Sequence, residues 1–188
     1  MALLQHGALQ PNNWRFVGDD AAIPAEEPVT VSLKRWLAEA ETLRGRNSPI
    51  GVRLKNDDQV LALGEDVHRL SLIEVEFPKF TDGRAFSQAR ILRDKLGYKG
   101  ELRAFGVILR DQYFYMTRCG IDSVELPDDK PIDGYLAALK EFSAWYQPAS
   151  DGRVTVLELR HPANANANAN ARRGAAPVMT ASVAAHSA

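Results

Sequence analysis

The sequence predicts an α/β fold: repeated βα units forming a parallel sheet of four or five strands flanked by helices, as a flavodoxin-like open sheet or a partial β/α barrel. Three observations carry this. Short apolar runs recur at 50–54 (IGVRL), 72–77 (LIEVEF), 101–106 (ELRAFG) and 123–126 (SVEL), and turn residues bound each of them. Between the runs the apolar spacing is helical, most clearly at Ala85, Ala89, Leu92 and Leu96. Strand and helix alternate with room for one crossover each, which is the pattern of parallel neighbours.

Residues 1–28 are polar, broken by Pro and Gly and without period, so they read as an N-terminal loop or loose arm. A short strand follows at 29–31 (VTV). Ser32 then caps a helix with Leu33, Trp36, Leu37, Ala40 and Leu43 on one face, stopped at Gly45. The strand at 50–54 leads into a turn at Asn56, Asp57 and Asp58, a short helical crossover and the strand at 72–77, which Pro78 ends. Thr81 or Asp82 caps the next helix and Gly97 stops it.

After the strand at 101–106, Asp111 caps a helix reaching Gly120. Following strand 123–126, Pro131 opens a last helix that offers Tyr135, Leu136, Leu139, Phe142 and Tyr146 to the core and ends before Pro148. The run 153–159 (RVTVLEL) reads as an edge strand or a surface wrap. The domain is therefore bounded at 29–160, and 161–188, with its alternating Asn-Ala run, reads as a disordered low-complexity tail.

Composition excludes several classes. A single cysteine, Cys119, cannot form an internal disulfide and cannot alone hold an iron–sulfur cluster or a structural zinc. No metal is expected and no cofactor is identified. Neither an apolar run of membrane-spanning length nor a secretory leader is visible, so no membrane partner is expected and the reading is cytoplasmic. The net charge of −1 argues against nucleic acid as a partner. Charge is nevertheless segregated. Residues 79–118 hold nine lysines and arginines against four acids, a local +5 that suits a small oxyanion or one acidic partner surface.

Ligands of open α/β sheets sit beyond the carboxyl ends of the strands. That edge collects Lys79, Asp82, Gly83, Arg84, Arg110, Asp111 and Gln112. Gly83 would let an anion approach a helix N-terminus, with Arg84, Lys79 and Arg110 closing on it. Asp82 and Asp111 are the weak candidates for proton transfer, since any βα protein places some carboxylates on this edge and both are equally readable as helix caps. Arg90, Arg93 and Arg103 are equally readable as solvated or as paired with Asp94 and Glu101. Cys119 lies at a helix C-terminus, which disfavours a thiolate, and His68 lies away from the arginines; both read as structural. The nucleotide, metalloprotease and serine-elbow motifs are absent from the sequence.

The stretches FPKFTDGRAFSQARILRDKLGYKGELRAFG (77–106) and LRDQYFYMTRCGIDSVEL (109–126) resemble the signature of a bacterial family, domain-of-unknown-function family 934, labelled "oxidoreductase probably involved in sulfite reduction". The likeness spans about residues 14–148 and is densest at FTDGR, ARILR, GELRA, RDQ and RCG. One departure is Val107, where members usually carry an acid. The resemblance implies a role in assimilatory sulfur metabolism. Sulfite reduction itself needs haem and iron–sulfur chemistry that one cysteine cannot support. Two functions therefore stay open. One is an accessory protein that binds an oxyanion-bearing ligand or docks on a sulfite-reductase or other sulfur-assimilation enzyme, with Arg84, Arg110 and Gln112 as contacts. The other is a small enzyme acting on a phosphate- or sulfate-bearing metabolite. Exposed aromatics such as Phe80 or Tyr113 at the edge would favour docking; a closed cavity holding the acids and arginines would favour catalysis.

Overall fold

The computed structural model describes residues 2–128 and 130–161. The low-complexity tail from 162 onward lies outside the described residues. Eight strands form one sheet: β1 (Ala2–Gln5), β2 (Ala8–Gln10), β3 (Arg15–Phe16), β4 (Val29–Ser32), β5 (Ile50–Leu54), β6 (Leu72–Phe77), β7 (Glu101–Gly106) and β8 (Ser123–Leu126). Their order is β2-β1-β8-β7-β6-β5-β4-β3. All neighbours from β3 to β8 are parallel, whereas β1 runs antiparallel to both β8 and β2. The fold is α/β as expected. The sheet is mixed and larger than the expected four or five strands, and its sequential order is not that of a flavodoxin-like sheet.

The extra strands come from the N-terminal segment, which was expected to be irregular. β1 and β2 form a hairpin across His6 and Gly7, whose φ values of 49° and 80° are those of a two-residue type I′ turn. Leu3 and Leu4 are buried against β8, so the segment covers an edge that would otherwise expose unpaired backbone.

The sheet is curled, and chain length shows why. Flat, eight strands would separate β2 from β3 by about 34 Å at the usual spacing. Five peptide steps from Gln10 to Arg15 reach at most about 18 Å. The two outer strands must therefore approach each other, with residues 11–14 crossing the concave side.

Helices cover the convex side. They are α1 (Leu33–Arg44), α2 (Arg84–Arg90) continuing into a π turn (Ile91–Lys95), α3 (Arg110–Arg118), α4 (Asp133–Ala138) and α5 (Val156–Arg160), with a 3₁₀ segment at Val60–Arg69. Val31, Val52, Val75, Ala104 and Val124 project into one core with Trp36, Leu92 and Met116 from the helices. Successive parallel strands in sequential order, joined by right-handed crossovers, place the connecting helices on the same face.

Local signals account for most element ends. The Ser32 hydroxyl accepts from Arg35 N at 3.0 Å, and Gly45 closes α1. Gly97, at φ 64°, stops the helix after the π turn. Three expectations require correction. Gly83, not Thr81 or Asp82, is the N-cap of α2, and Leu109, not Asp111, is that of α3. The last predicted helix ends at Ala138, and Phe142 and Tyr146 are exposed, the latter by 82%. The chain turns away there because Trp145 pairs with Thr155 in a single parallel bridge and stacks on Phe114. Residues 153–159 form no strand; Thr155 and Glu158 make a capping box for α5. Among the described residues no helix is long and apolar enough to cross a membrane.

Candidate functional site

The carboxyl edge carries the residues singled out by sequence. β6 and β7 end together there: Val107 N donates to Phe77 O at 2.7 Å. A Cβ at Gly106 would stand 2.4 Å from that same oxygen, and its φ of 104° suits glycine alone. The following loops leave Phe80 54% and Val107 44% exposed, beside exposed Lys79, Gly83, Arg84, Arg110 and Asp111. Gln112 ties the two loops, donating to Phe80 O at 3.4 Å, while its own Oε1 is sealed from solvent without a donor. Tyr113 is not at this surface; it is buried edge-on against Tyr135.

Arg84 and Arg110 are engaged by different partners. Arg84 forks onto Asp82, Nε at 3.0 Å and Nη2 at 2.7 Å, and Asp82 also accepts from Arg84 N and from Asn56. These bonds, the arginine's foremost, hold the Asp82 carboxyl far below the usual carboxylate range and raise the Arg84 guanidinium. Arg110 instead donates to Gly134 O at 3.0 Å and to the Glu141 carboxylate. The edge thus unites Lys79, Gly83, Gln112 and the Asp82–Arg84 pair around Phe80, while Arg110 is turned toward α4.

Of the other arginines of this stretch Arg90 is exposed, whereas Arg93 and Arg103 are turned inward. Arg90 pairs with Asp94 at 2.9 Å across one helical turn. Arg93 donates to Gly120 O at 2.9 Å, Tyr98 O at 2.7 Å and Gly100 O at 3.0 Å, and it also binds the Asp122 carboxylate. Thus ARILR and RCG, two separated parts of the sequence signature, meet in space.

Arg103 lies on the concave face, 1% exposed. One register row there reads Ser32, Arg53, Glu74, Arg103, Ser123 and Gln5. Arg53 grips Glu74 with two bonds of 2.7 and 3.0 Å and lies over the rings of Phe16 and Phe105. Arg103 binds Glu101 at 2.8 Å and Asn12 at 2.9 Å. Asn12, from the crossing segment, also donates to Glu125. The concave face is therefore packed with its own ion pairs.

A cavity of 580 Å³ opens at the opposite, amino edge of the sheet. Arg93, Lys99 and Tyr98 line one side, and Ser150, Asp151 and Arg153 of the C-terminal loop line the other. Sequence reasoning missed it because the segment around Ser150 and Asp151 was left unassigned between the last helix and the run 153–159, with nothing to bring it beside Arg93 and Lys99. Cys119 is buried, and burial pushes its thiol above the ordinary value. His68 is exposed at the end of the 3₁₀ segment. Among the described residues no three His, Cys, Asp or Glu side chains are grouped to hold a metal ion.

A family model described as bacterial protein of unknown function (DUF934) matches residues 51–157, more than half of the chain. No curated protein and no solved structure matches it.

Proposed function

The chain belongs to the DUF934 family of bacterial proteins of unknown function, and from that membership and its exposed carboxyl edge we propose that it is an accessory protein of assimilatory sulfite reduction that docks on a sulfite-reduction enzyme. The pathway comes from the label attached to the sequence resemblance. The docking mode rests on one observation: Phe80 and Val107 are exposed at the carboxyl edge, among Lys79, Arg84 and Arg110. An apolar centre with a charged rim is the composition of a protein-binding patch, in which aromatic and arginine side chains supply most of the affinity. Lys79 is the rim cation without an ion pair among the described residues, whereas Arg84 and Arg110 are paired with Asp82 and Glu141.

The alternative, a small enzyme using Asp82 for proton transfer, is disfavoured on chemical grounds. A general acid or base works best with a proton affinity near the operating pH. Asp82, clamped by Arg84, is held far below it.

Surface plasmon resonance between the full chain and purified sulfite reductase of the same bacterium tests the reading. Binding should occur, weaken as salt rises, and fall by about tenfold or more in Phe80→Ser and in Arg84→Glu. Deleting the gene should slow growth on sulfate but not on cysteine. Absence of binding together with equal growth on both sulfur sources overturns the proposal.

A further inference from the structure

We propose that the amino-edge cavity binds a small organic metabolite carrying a tetrahedral oxyanion, a phosphate or sulfate group, at a site distinct from the carboxyl edge. Its volume of 580 Å³ lies within the usual range for small-molecule sites, about 300–1,000 Å³. That is about twenty times the share of one liquid water, so an inorganic anion alone would leave most of it empty. Tyr98, Tyr113, Ile121 and Leu139 supply an apolar wall for an organic body.

The charge balance selects an anion. Asp122 is offset by Arg93. Asp151 faces two cations, Arg118 at 2.7 Å and Arg153 at 3.4 Å, one more than it offsets. Among the described residues Lys99, exposed at the rim, has no acidic partner. Two positive charges are thus uncompensated around one cavity.

Hydrogen bonding points the same way. The Ser150 hydroxyl is closed off from solvent yet has no partner. Sealed polar groups are nearly always paired, and Ser150 lines the cavity, so a rotamer change that turns this hydroxyl inward would give it an oxygen of a ligand anion as acceptor. Arg93 gives the floor its rigidity, since its bonds to three backbone carbonyls fix the loops 98–100 and 120–122. Lys99, Ser150 and Arg153 converge from two separate loops, a geometry that suits a group with oxygens in several directions better than a flat carboxylate.

The experiment is a ¹⁵N–¹H NMR titration of the full chain with sodium phosphate, sulfate, acetate and chloride at constant ionic strength. Phosphate or sulfate should give saturable shifts in the amides of Lys99, Gly100, Ser150 and Gly152, and the two arms decide which oxyanion is preferred. Lys99→Ala and Ser150→Ala, which remove no ion pair of the fold, should each weaken binding. About tenfold is expected for Lys99, the loss of one charge-assisted bond. Arg84→Ala should leave binding unchanged. The proposal is overturned if no anion gives saturable shifts, if acetate and chloride act equally, if shifts centre on residues 79–84, or if Lys99→Ala binds as well as the native chain. Failure of docking on the sulfite-reduction enzyme would not touch any of these outcomes.

Discussion

Gly120→Ala is the most informative single substitution, because two effects there can be separated. Gly120 has φ 87°, and a Cβ added to it would lie 2.6 Å from Arg93 Cγ. Left-handed backbone costs an L-residue about 1–2 kcal/mol. The clash is with the root of the Arg93 side chain, not its free end, so the guanidinium must leave its place. It then loses three carbonyl acceptors and the Asp122 carboxylate. Bonds to charged groups contribute about 1.5–3 kcal/mol each, but water recovers part of this for a side chain that is 13% exposed. A displacement cost of about 2 kcal/mol and a total loss of about 3–4 kcal/mol are expected.

The assay is urea unfolding of Gly120→Ala, Arg93→Ala and the double variant, read through tryptophan fluorescence and extrapolated linearly. Once Arg93 is trimmed, the three atoms nearest to a Cβ at 120 are gone, and its backbone strain is the main cost that remains. The double variant should therefore lose about 2 kcal/mol less than the sum of the singles. Additivity within about 0.5 kcal/mol, or a loss under about 1 kcal/mol for Gly120→Ala alone, would refute the coupling between the two signature segments.

Two further outcomes are expected. In a carboxyl NMR titration, native Asp82 should stay ionised well below its ordinary value of 3.8, and Arg84→Ala should bring it back toward that value. Since the folded carboxyl is the stronger acid, its contribution to stability is present above pH 3.8 and lost as the pH falls through its folded value; identical titrations in both proteins would contradict the fork. Arg103→Met should destabilise the fold by about 3–5 kcal/mol in urea, because it leaves Glu101 and Glu125 on the concave face without their shared cation. A loss below about 1 kcal/mol would mean that water reaches the network.

The strands 29–32, 50–54, 72–77, 101–106 and 123–126 and the helix after Ser32 were legible because local pattern and packing agree there. β1 was not: four residues carry too little period, and ALLQ is a strand only because the edge of β8 lies beside it. The His6-Gly7 turn was the available clue. The concave network also left a trace. Strands buried on both faces are continuously apolar, whereas here Arg53, Glu74, Glu76, Glu101, Arg103, Ser123 and Glu125 occupy alternate positions. That alternation marks a sheet with helices on one face only. The amino-edge cavity had no comparable signal, since its halves lie about fifty residues apart and are joined only by tertiary folding.

The local excess of arginine is accounted for by acids brought in from outside the stretch. All six arginines of 79–118 have a carboxylate partner, three within it (Asp82, Asp94, Glu101) and three beyond it (Asp122, Glu141, Asp151). Planar, five-donor guanidinium groups suit such work, because one side chain can serve a carboxylate and several carbonyls at once. Among the described residues the cations of the stretch left without an ion pair are its lysines, Lys79, Lys95 and Lys99. Lys79 stands at the carboxyl edge and Lys99 at the cavity rim, on opposite ends of the sheet. A strongly hydrated, flexible ammonium gives up little fold stability when it turns to a new anion. Lysine substitutions should therefore discriminate the two proposed sites with the fold intact, whereas arginine substitutions report on ligand and architecture together.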